Sequence, residues 1–336
     1  PDTFYRISPE GDYYFEYSPN EKVALEVGGG AAIGGLPTLV TMKHVGVNVA
    51  ADPLLTLAYV GAPGGLVLLS ADDPGCHSSQ NEQDNRYFCR LAGLPCLEPS
   101  TAQEAKDMAR DALILAAKWQ RPVMLRTTTR INHLRGPVTF GEKEKTPEKG
   151  EFSKDPARFV PVPANARVSR VKLLDFLQEA QAASEASSWN RVSGQGEVGV
   201  VASGVSRAYA ADAMDELGLR DRILYMELGM TYPLPEKALL KVMDSVKTLL
   251  VLEELEPVLE TEIRALAQKH GVDVRILGKD LLPQNGEFDV RLVGEALQQA
   301  LGEEPSLVRE CASQPQNLPP RPPNLCAGCS HRALYY

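Results

Sequence analysis

The residues best suited to chemistry begin with Glu21, near the start of a predicted helix in SPNEKVALEVGGGAAIGG, residues 18–35. Ser18 is a favourable N-cap and Pro19 suits the first helical position. Glu21, three residues beyond the cap, completes a capping box. These residues therefore support a purely structural role for Glu21 as well as a chemical one.

Five glycines follow this helix start, namely Gly28, Gly29, Gly30, Gly34 and Gly35. Each glycine costs about 1 kcal/mol relative to alanine inside a helix, so we expect them to permit the close approach of a helix, a subunit or a ligand. Their spacing does not match G-x-G-x-x-G after a strand, and the sequence contains no G-x-x-x-x-G-K-[ST] loop. Neither nucleotide-binding motif is supported.

Two further polar groups follow predicted strands. Lys43 ends the strand at 38–43 and His44 follows it, and the loop SADDPGCHSSQNEQDNRYF begins where the strand at 65–70 ends. Ligands of open parallel sheets bind at the carboxyl ends of strands, and long polar loops there commonly serve a site or an interface. The alternatives are a structural histidine and a solvated loop with Asx turns.

The cysteines give weaker signals. Cys76 beside His77 is a poor candidate for a nucleophile pair or a metal site, because adjacent residues rarely converge on one ligand. Near the end of the sequence, CAGCSHR contains Cys326, Cys329 and His331. One C-x-x-C cannot complete a four-ligand zinc or iron–sulfur site, so this is either an incomplete cluster site or a backbone turn. We expect no metal site within this chain.

Alternating short apolar runs and helical patterns predict parallel α/β layers. The first half should contain a helix near 19–35, a strand at 38–43, a helix near 48–60, a strand at 65–70, a helix at 101–119 and a strand at 122–127. Ser100 or Thr101 should cap the helix at 101–119, with Glu104 as the capping-box partner. After a Pro-rich, charged linker at 134–166 and a helix near 169–186, the strand–helix alternation resumes at Glu197. We predict an α/β fold with two doubly wound parallel-sheet domains.

Composition excludes several classes of protein. The chain has 336 residues, 43% of them hydrophobic, with a net charge of −9 and a pI near 5.2. An acidic surface argues against nucleic-acid binding, and no apolar run reaches the roughly 18 residues of a membrane span. The first residues do not form a secretory signal, and six cysteines are too few for a disulfide scaffold. We expect a cytoplasmic protein.

Taken together, these stretches resemble the α subunit of the indolepyruvate ferredoxin oxidoreductase family, which are thiamine-diphosphate-dependent 2-oxoacid:ferredoxin oxidoreductases. The resemblance covers nearly the whole chain and is carried by YSPNEKVALEVGGGAAIGG, TMKHVGVNVAADPLLTLAYVG, LSADDPGCHSSQNEQDNRYF, VASGVSRAYA, ELGMTYPLPEK, VLEELEPVLE and RPPNLCAGCSHRALYY. It implies a pyrimidine-binding-like domain at 1–133, a linker at 134–166 and a transketolase C-terminal-like domain at 167–302. Residues 303–336 would lead into a third, diphosphate-binding domain that is not present.

The resemblance implies conversion of aryl pyruvates such as indolepyruvate, with coenzyme A, to aryl-acetyl-CoA and CO₂. Electrons would pass through [4Fe-4S] clusters to ferredoxin in an oligomer with a second subunit. The family's opening strand with its Y-P-G-T-P-S-type loop, its G-D-G…N motif for Mg²⁺ and diphosphate, and its C-terminal cysteine runs are missing here. We therefore expect a chain truncated at both ends, inactive alone, with the Mg²⁺ and cluster sites elsewhere.

For the cofactor, the resemblance implies that Glu21 hydrogen-bonds the aminopyrimidine ring of thiamine diphosphate. A carboxyl group that holds a proton in a dry site suits that acid–base role. Gly28 and Gly29 would let the ring and a neighbouring helix come close.

For the substrate, the resemblance makes Lys43, His44 and Asn48 candidates for binding the carboxylate and keto group, with Lys43 and His44 also catalytic. Weaker substrate-binding candidates are His77, Ser78, Gln80 and Asn81 on the polar loop, and His331. Two alternatives stay open: a non-catalytic scaffold or regulatory module with a vestigial pocket, and a chain of the 2-oxoacid dehydrogenase or transketolase type.

Overall fold

The computed structural model describes residues 2–142 and 149–306. Within these ranges the helices are α1 Asp2–Ile7, α2 Glu21–Ile33, α3 His44–Val49, α4 Ala51–Val60, α5 Arg86–Ala92, α6 Ala102–Trp119, α7 Thr129–His133, α8 Pro156–Phe159, α9 Pro163–Glu185, α10 Ser206–Glu216, α11 Glu236–Asp244, α12 Val258–His270 and α13 Val290–Ala300. The strands are β1 Thr38–Lys43, β2 Leu66–Ala71, β3 Cys96–Leu97, β4 Pro122–Thr127, β5 Asn190–Gly194, β6 Val198–Ser203, β7 Ile223–Leu228, β8 Met230–Tyr232, β9 Thr248–Leu252 and β10 Arg275–Leu277. None of these helices is both long and apolar enough to cross a membrane.

The strands of the described residues form two five-stranded sheets, in the orders β1-β2-β4-β3-β8 and β10-β9-β6-β7-β5. The predicted α/β class is confirmed. Each sheet is mixed, because β8 pairs antiparallel with β3 and β5 pairs antiparallel with β7. The remaining pairs are parallel, so the carboxyl ends of β1, β2 and β4 lie at one edge of the first sheet.

Helices cover both faces of the first sheet, which explains why its central strands are almost wholly apolar. On one face Leu68 and Met124 pack with Leu25 of α2 and Leu54 of α4. The other face forms a second apolar cluster with α6 and α9, whose members include Val67, Val123, Met108 and Phe176. Strands β1 and β2 pair in parallel, with Lys43 opposite Ala71.

Two elements cross the predicted domain boundary. Helix α9 begins at Pro163, inside the predicted linker, and its Phe176 packs edge-on against Trp119 with 5.5 Å between ring centroids. Strand β8, at 230–232, completes the first sheet although it lies within the second predicted domain. The division at 134–166 therefore stays a prediction, and the linker contains the short helix α8.

The predicted capping box at Ser18 is wrong. Asn20 is the N-cap of α2 and accepts a hydrogen bond from Val23 N at 3.0 Å, while Ser18 Oγ donates to Glu16 Oε1 at 2.8 Å. An Asx side chain immediately before the helix competes well for this position. Glu21 is consequently the first residue of α2, and its carboxyl group has no capping role.

At α6, Thr101 is the N-cap and accepts from Glu104 N at 3.1 Å, as predicted. The reciprocal bond differs, because Glu104 Oε2 accepts from Ser100 N at 2.9 Å instead of from the cap residue. Arg207 of α10 also pairs with Glu104 at 2.5 Å, so this helix start is tied to the second sheet.

Candidate functional site

Helix α3 is the centre of the candidate site, because Glu21, Lys43, His44 and Asn48 all lie on it or beside it. Lys43 ends β1 and His44 begins α3. Glu21 reaches α3 from α2 and lies against Gly46. A β-carbon on Gly46 would stand 2.5 Å from Cγ of Glu21 and 3.1 Å from Oε1. The absence of a side chain at Gly46 therefore makes room for the Glu21 carboxyl group.

The Glu21 carboxylate forms no hydrogen bond or ion pair with any residue in 2–142 or 149–306. The neighbouring residue behaves differently, since Lys22 lies 3.8 Å from Glu26 and 3.5 Å from Asp52. Glu21 is half-buried. It is thus a carboxyl group at a helix start that the described part of the chain leaves available for another molecule.

Lys43 faces the polar loop that follows β2. Its Nζ donates to Ser78 O at 2.6 Å and to Ser78 Oγ at 3.0 Å, and it lies 3.6 Å from Asp73 Oδ2. The nearby carboxylate offsets part of the lysine charge. Lys43 both anchors the loop and remains about two-fifths exposed.

His44 is fully buried, and its ring has a defined orientation. Nε2 lies 3.0 Å from Asn81 O and 3.2 Å from Asn81 Oδ1, both acceptors, so Nε2 carries the hydrogen. Nδ1 has no hydrogen-bond partner in the described residues.

Asn48 is held by the same loop. It exchanges two hydrogen bonds with Gln83, at 2.8 and 2.7 Å, and Gln83 Nε2 also donates to Asn85 Oδ1 at 2.6 Å. Asn85 Nδ2 donates to His44 O at 3.1 Å and to Ser70 Oγ at 2.8 Å. The loop therefore fixes the start and the middle of α3.

Asp73 organises the first half of the loop. Its carboxylate accepts from Ser78 N at 2.9 Å, from Ser79 Oγ at 2.7 Å and from Thr129 Oγ1 at 2.8 Å. Burial alone raises the pKa of Asp73, but these hydrogen bonds and Lys43 hold that pKa well below its usual range. The residue is ionised at neutral pH and keeps the turn at Ser78 against Lys43.

The remaining loop candidates lie differently. His77 turns to the second sheet, with Nε2 3.0 Å from Glu287 Oε2, and so does not pair with Cys76. Gln80 is exposed, and its side chain forms no hydrogen bond within the described residues. Asn81 is exposed but orients His44. His331, with Cys326 and Cys329, lies outside the described residues.

Gly28 and Gly29 face the protein interior. A β-carbon on Gly28 would stand 2.5 Å from Val40 Cγ2, and one on Gly29 would stand 2.9 Å from Leu57 Cδ1. These glycines allow α2 to pack closely on β1 and α4. In the described structure their open faces are filled by side chains of the chain itself.

Sequence reasoning missed Gly46, and it named Asp73, Gln83 and Asn85 only as members of a polar loop. Gly46 lies within helix α3, two residues after His44, and a glycine so close to a candidate histidine is a signal that could have been used. The roles of the other three depend on how the loop folds back on α3, and no local pattern encodes that contact.

No protein-family model matches the chain. Among curated proteins, it is 45% identical over 335 residues to indolepyruvate oxidoreductase subunit IorA of Methanothermobacter thermautotrophicus, covering 98% of this chain and 53% of the relative. It is 40% identical over 347 residues to the IorA subunit of Pyrococcus abyssi, covering 100% and 53% respectively. The chain thus spans about half the length of the curated relatives it matches.

A solved structure with the same fold is a 2-oxoglutarate:ferredoxin oxidoreductase from Magnetococcus marinus, with 2-oxoglutarate, coenzyme A and succinyl-CoA bound. It aligns with a TM-score of 0.58 at 15% identity, covering 84% of this chain and 56% of that one. At that identity the match supports the fold alone. The resemblance predicted from sequence is confirmed by the curated relatives: over nearly its whole length, the chain is related to the IorA subunit of the indolepyruvate oxidoreductases.

Proposed function

We propose that this chain forms the pyrimidine side of a thiamine diphosphate site in an indolepyruvate-type oxidoreductase. The complete enzyme would oxidatively decarboxylate aryl pyruvates with coenzyme A and pass electrons to ferredoxin. Its Mg²⁺ site, [4Fe-4S] clusters and second subunit would lie outside this chain. The observation that carries the proposal is the Glu21 carboxyl group, which has no partner among the described residues and lies against the helix that bears His44.

The site residues fit this cofactor. The half-buried carboxyl group beside Gly46 is available to a flat, hydrogen-bonding heterocycle, and a buried ring nitrogen without a partner lies on the neighbouring helix α3. When bound, thiamine diphosphate supplies a carbon nucleophile for the keto group and an electron sink for decarboxylation. The protein must then position the ring, manage its protons and exclude water.

Glu21 would perform the proton step. A protonated carboxyl oxygen of Glu21 would donate to a ring nitrogen of the aminopyrimidine and favour the imino form of that ring. Because Glu21 is the first residue of α2 and is not its N-cap, this proton does not compete with helix capping. Because Gly46 has no side chain, the Glu21 carboxyl group can lie against α3 in this position.

Lys43 would face the 2-oxoacid. With Nε2 of His44 donating to Asn81, Nδ1 is an acceptor and does not suit the carboxylate or keto oxygens, so the substrate role of His44 stays a prediction without a supporting contact. The Lys43 ammonium would attract the substrate carboxylate, although Asp73 weakens its positive field. Asn48 is a weaker candidate for substrate contact because Gln83 occupies its amide group. Gly28, Gly29, His77, Gln80 and His331 stay as predictions without a supporting contact.

The test replaces Glu21 by Gln in the complete enzyme, with indolepyruvate, coenzyme A, thiamine diphosphate, Mg²⁺ and a low-potential acceptor. Loss of a general acid typically costs 100-fold or more, so we expect turnover to fall by about that factor while the melting temperature is unchanged. Calorimetry should detect weaker thiamine diphosphate binding. Glu26→Gln is the matched control, since Glu26 lies on the same helix, half-exposed and paired with Lys22.

Full activity of Glu21→Gln would remove the proposed role of Glu21. A complete wild-type enzyme that neither binds thiamine diphosphate nor oxidises any aryl pyruvate would instead support the non-catalytic module.

A further inference from the structure

We propose that Arg86 is a positioning residue, through which the second sheet fixes the site loop, defined here as residues 72–85, against helix α3. The inference deepens the proposed function and rests on it, because the site loop is what holds Lys43, His44 and Asn48. Its evidence is a set of buried charges between the two sheets.

Arg86 is 3% exposed and uses its whole guanidinium group. Nε donates to Asp84 Oδ1 at 2.9 Å, and Nη1 donates to Glu253 Oε2 at 2.6 Å. Nη2 donates to Asp84 Oδ2 at 2.5 Å, and it donates to the carbonyl oxygens of Glu254 and Glu256 at 3.1 Å each. One side chain therefore links the end of the site loop to the segment that follows β9.

Glu253 gives this link a rigid anchor. Its carboxylate accepts from Leu259 N and Glu260 N, both at 2.9 Å, at the start of α12. Helix starts favour negative charge, and these two backbone groups at the start of α12 hold the Glu253 carboxylate in place. Arg86 consequently pairs with a carboxylate whose position is fixed.

At the other end, Arg86 is connected to α3 through Asp84 and its two neighbours in the site loop. Asp84 binds Arg86 and lies between Gln83 and Asn85, whose amides hold Asn48 and His44 O. A shift of Asp84 must therefore move both amides.

Arg126 binds Asp72 at the point where the two ends of the site loop meet. Its Nε donates to Asp72 Oδ2 at 2.7 Å, and Asp72 Oδ2 accepts from Asn85 N at 3.1 Å. Nη1 of Arg126 donates to Glu98 Oε2 at 2.6 Å. Arg126 thus holds Asp72 at the start of the site loop, and Arg86 holds Asp84 near its end.

The buried ion pairs suggest that these arginines position the site loop more than they stabilise the fold. A buried ion pair often adds little stability compared with apolar residues of similar size, while its geometry is strict. Burial raises the pKa of Asp84, but Arg126 and Arg86 together bring that pKa down to about 2, so the carboxylate keeps both arginines oriented at neutral pH. Two further contacts add to the link: Gly286 N donates to Glu82 Oε1 at 2.8 Å in a part-buried position, and Nε2 of the exposed His77 lies 3.0 Å from Glu287 Oε2.

The test uses the complete enzyme with Arg86→Lys, Arg86→Met and Glu82→Ala. Arg222→Met is the control, because Arg222 forms an exposed ion pair with Glu303, distant in sequence from the site loop. Hydrogen–deuterium exchange is measured at amides 75–85 and, as an internal reference, at β1. We expect exchange at 75–85 to rise about tenfold in Arg86→Met and less in Arg86→Lys and Glu82→Ala, with β1 unchanged.

In the same variants, kcat for the aryl pyruvate should fall about tenfold or more while KM changes little, because misplaced groups lose alignment more than affinity. Arg86→Lys should restore part of the lost kcat. If Arg86→Met does not fold, Arg86→Lys decides by the same readouts.

Unchanged exchange at 75–85 in a folded Arg86 variant would overturn the proposal. So would an equal rise at β1, which means general loosening, or a faster loop with unchanged kcat. The exchange result does not need substrate. An inactive wild-type enzyme would therefore contradict the proposed function while still reporting whether Arg86 holds the loop.

Discussion

At the scale of single residues, the site depends on the contact between the Glu21 carboxyl group and Gly46, which has no side chain. Glu21 lies against Gly46, and the described chain offers its carboxylate no hydrogen-bond partner. If Glu21 were only a helix-start residue, the side chain at position 46 would matter little to activity. If Glu21 serves a cofactor, its position against α3 must be kept.

Gly46→Ala separates these two cases. The new β-carbon would stand 2.5 Å from Cγ of Glu21, so the carboxyl group must move. Alanine also favours the helix by about 1 kcal/mol, so unfolding free energy should change little or rise. We expect thiamine diphosphate affinity and turnover of the complete enzyme to fall about tenfold or more, measured by calorimetry and steady-state assay. Unchanged affinity and turnover would mean that Glu21 does not bind the cofactor from this position.

At the scale of elements, helix α2 contains two kinds of glycine. Gly28 and Gly29 face Val40 and Leu57, so they set how closely the helix packs on β1 and α4. Gly30 has no atom within 4 Å of the place its β-carbon would occupy. The same helix therefore contains glycines that packing requires and one that it does not.

Gly28→Ala should destabilise the protein by about 1–3 kcal/mol, because its methyl group would overlap Val40. Gly30→Ala should stabilise it by up to about 1 kcal/mol, since it gains helix propensity without a clash. Denaturant unfolding of both variants measures the difference. Equal effects of the two substitutions would show that helix propensity alone governs these positions.

The elements also mark how far sequence reasoning reaches. The strands at 38–43 and 122–127 were predicted with the bounds observed. Strand β4 is buried along its whole length and opens with an apolar run, whereas β1 lies at the edge of the sheet and is only partly buried. The two-residue β3 and the antiparallel β8 were missed, since strands of two or three residues have no periodicity.

The site divides in the same way. The positions of Lys43 and His44 at a strand's carboxyl end followed from α/β geometry. The capping of α2 by Asn20, the grip of Gln83 on Asn48 and the turn of His77 toward Glu287 depend on contacts distant in sequence, or on competition between neighbouring caps.

At the scale of the whole molecule, the two sheets meet through buried carboxylates, and one of them holds a proton near neutrality. Glu254 is 5% exposed and accepts from Phe288 N at 3.0 Å. Burial raises its pKa from the usual 4.5 to about 7, despite the opposing effects of this hydrogen bond and of Arg126. Folding therefore takes up a proton at Glu254 between these two pH values.

The consequence is a fall in stability as pH rises from about 4.5 to 7. In that window the unfolded chain releases the proton and the folded chain keeps it, so deprotonation favours unfolding. The shift corresponds to about 3 kcal/mol. Glu254→Gln keeps the acceptor for Phe288 N and removes the titration. Urea unfolding of both proteins at pH 5 and 8 should thus reveal a variant that gains about that much relative to wild type at the higher pH. Glu197→Gln, at an exposed residue paired with Lys247, is the control and should give parallel pH curves. A Glu254 variant with curves parallel to wild type would mean that Glu254 is ionised in the folded protein and that the seam between the sheets contains an additional buried negative charge.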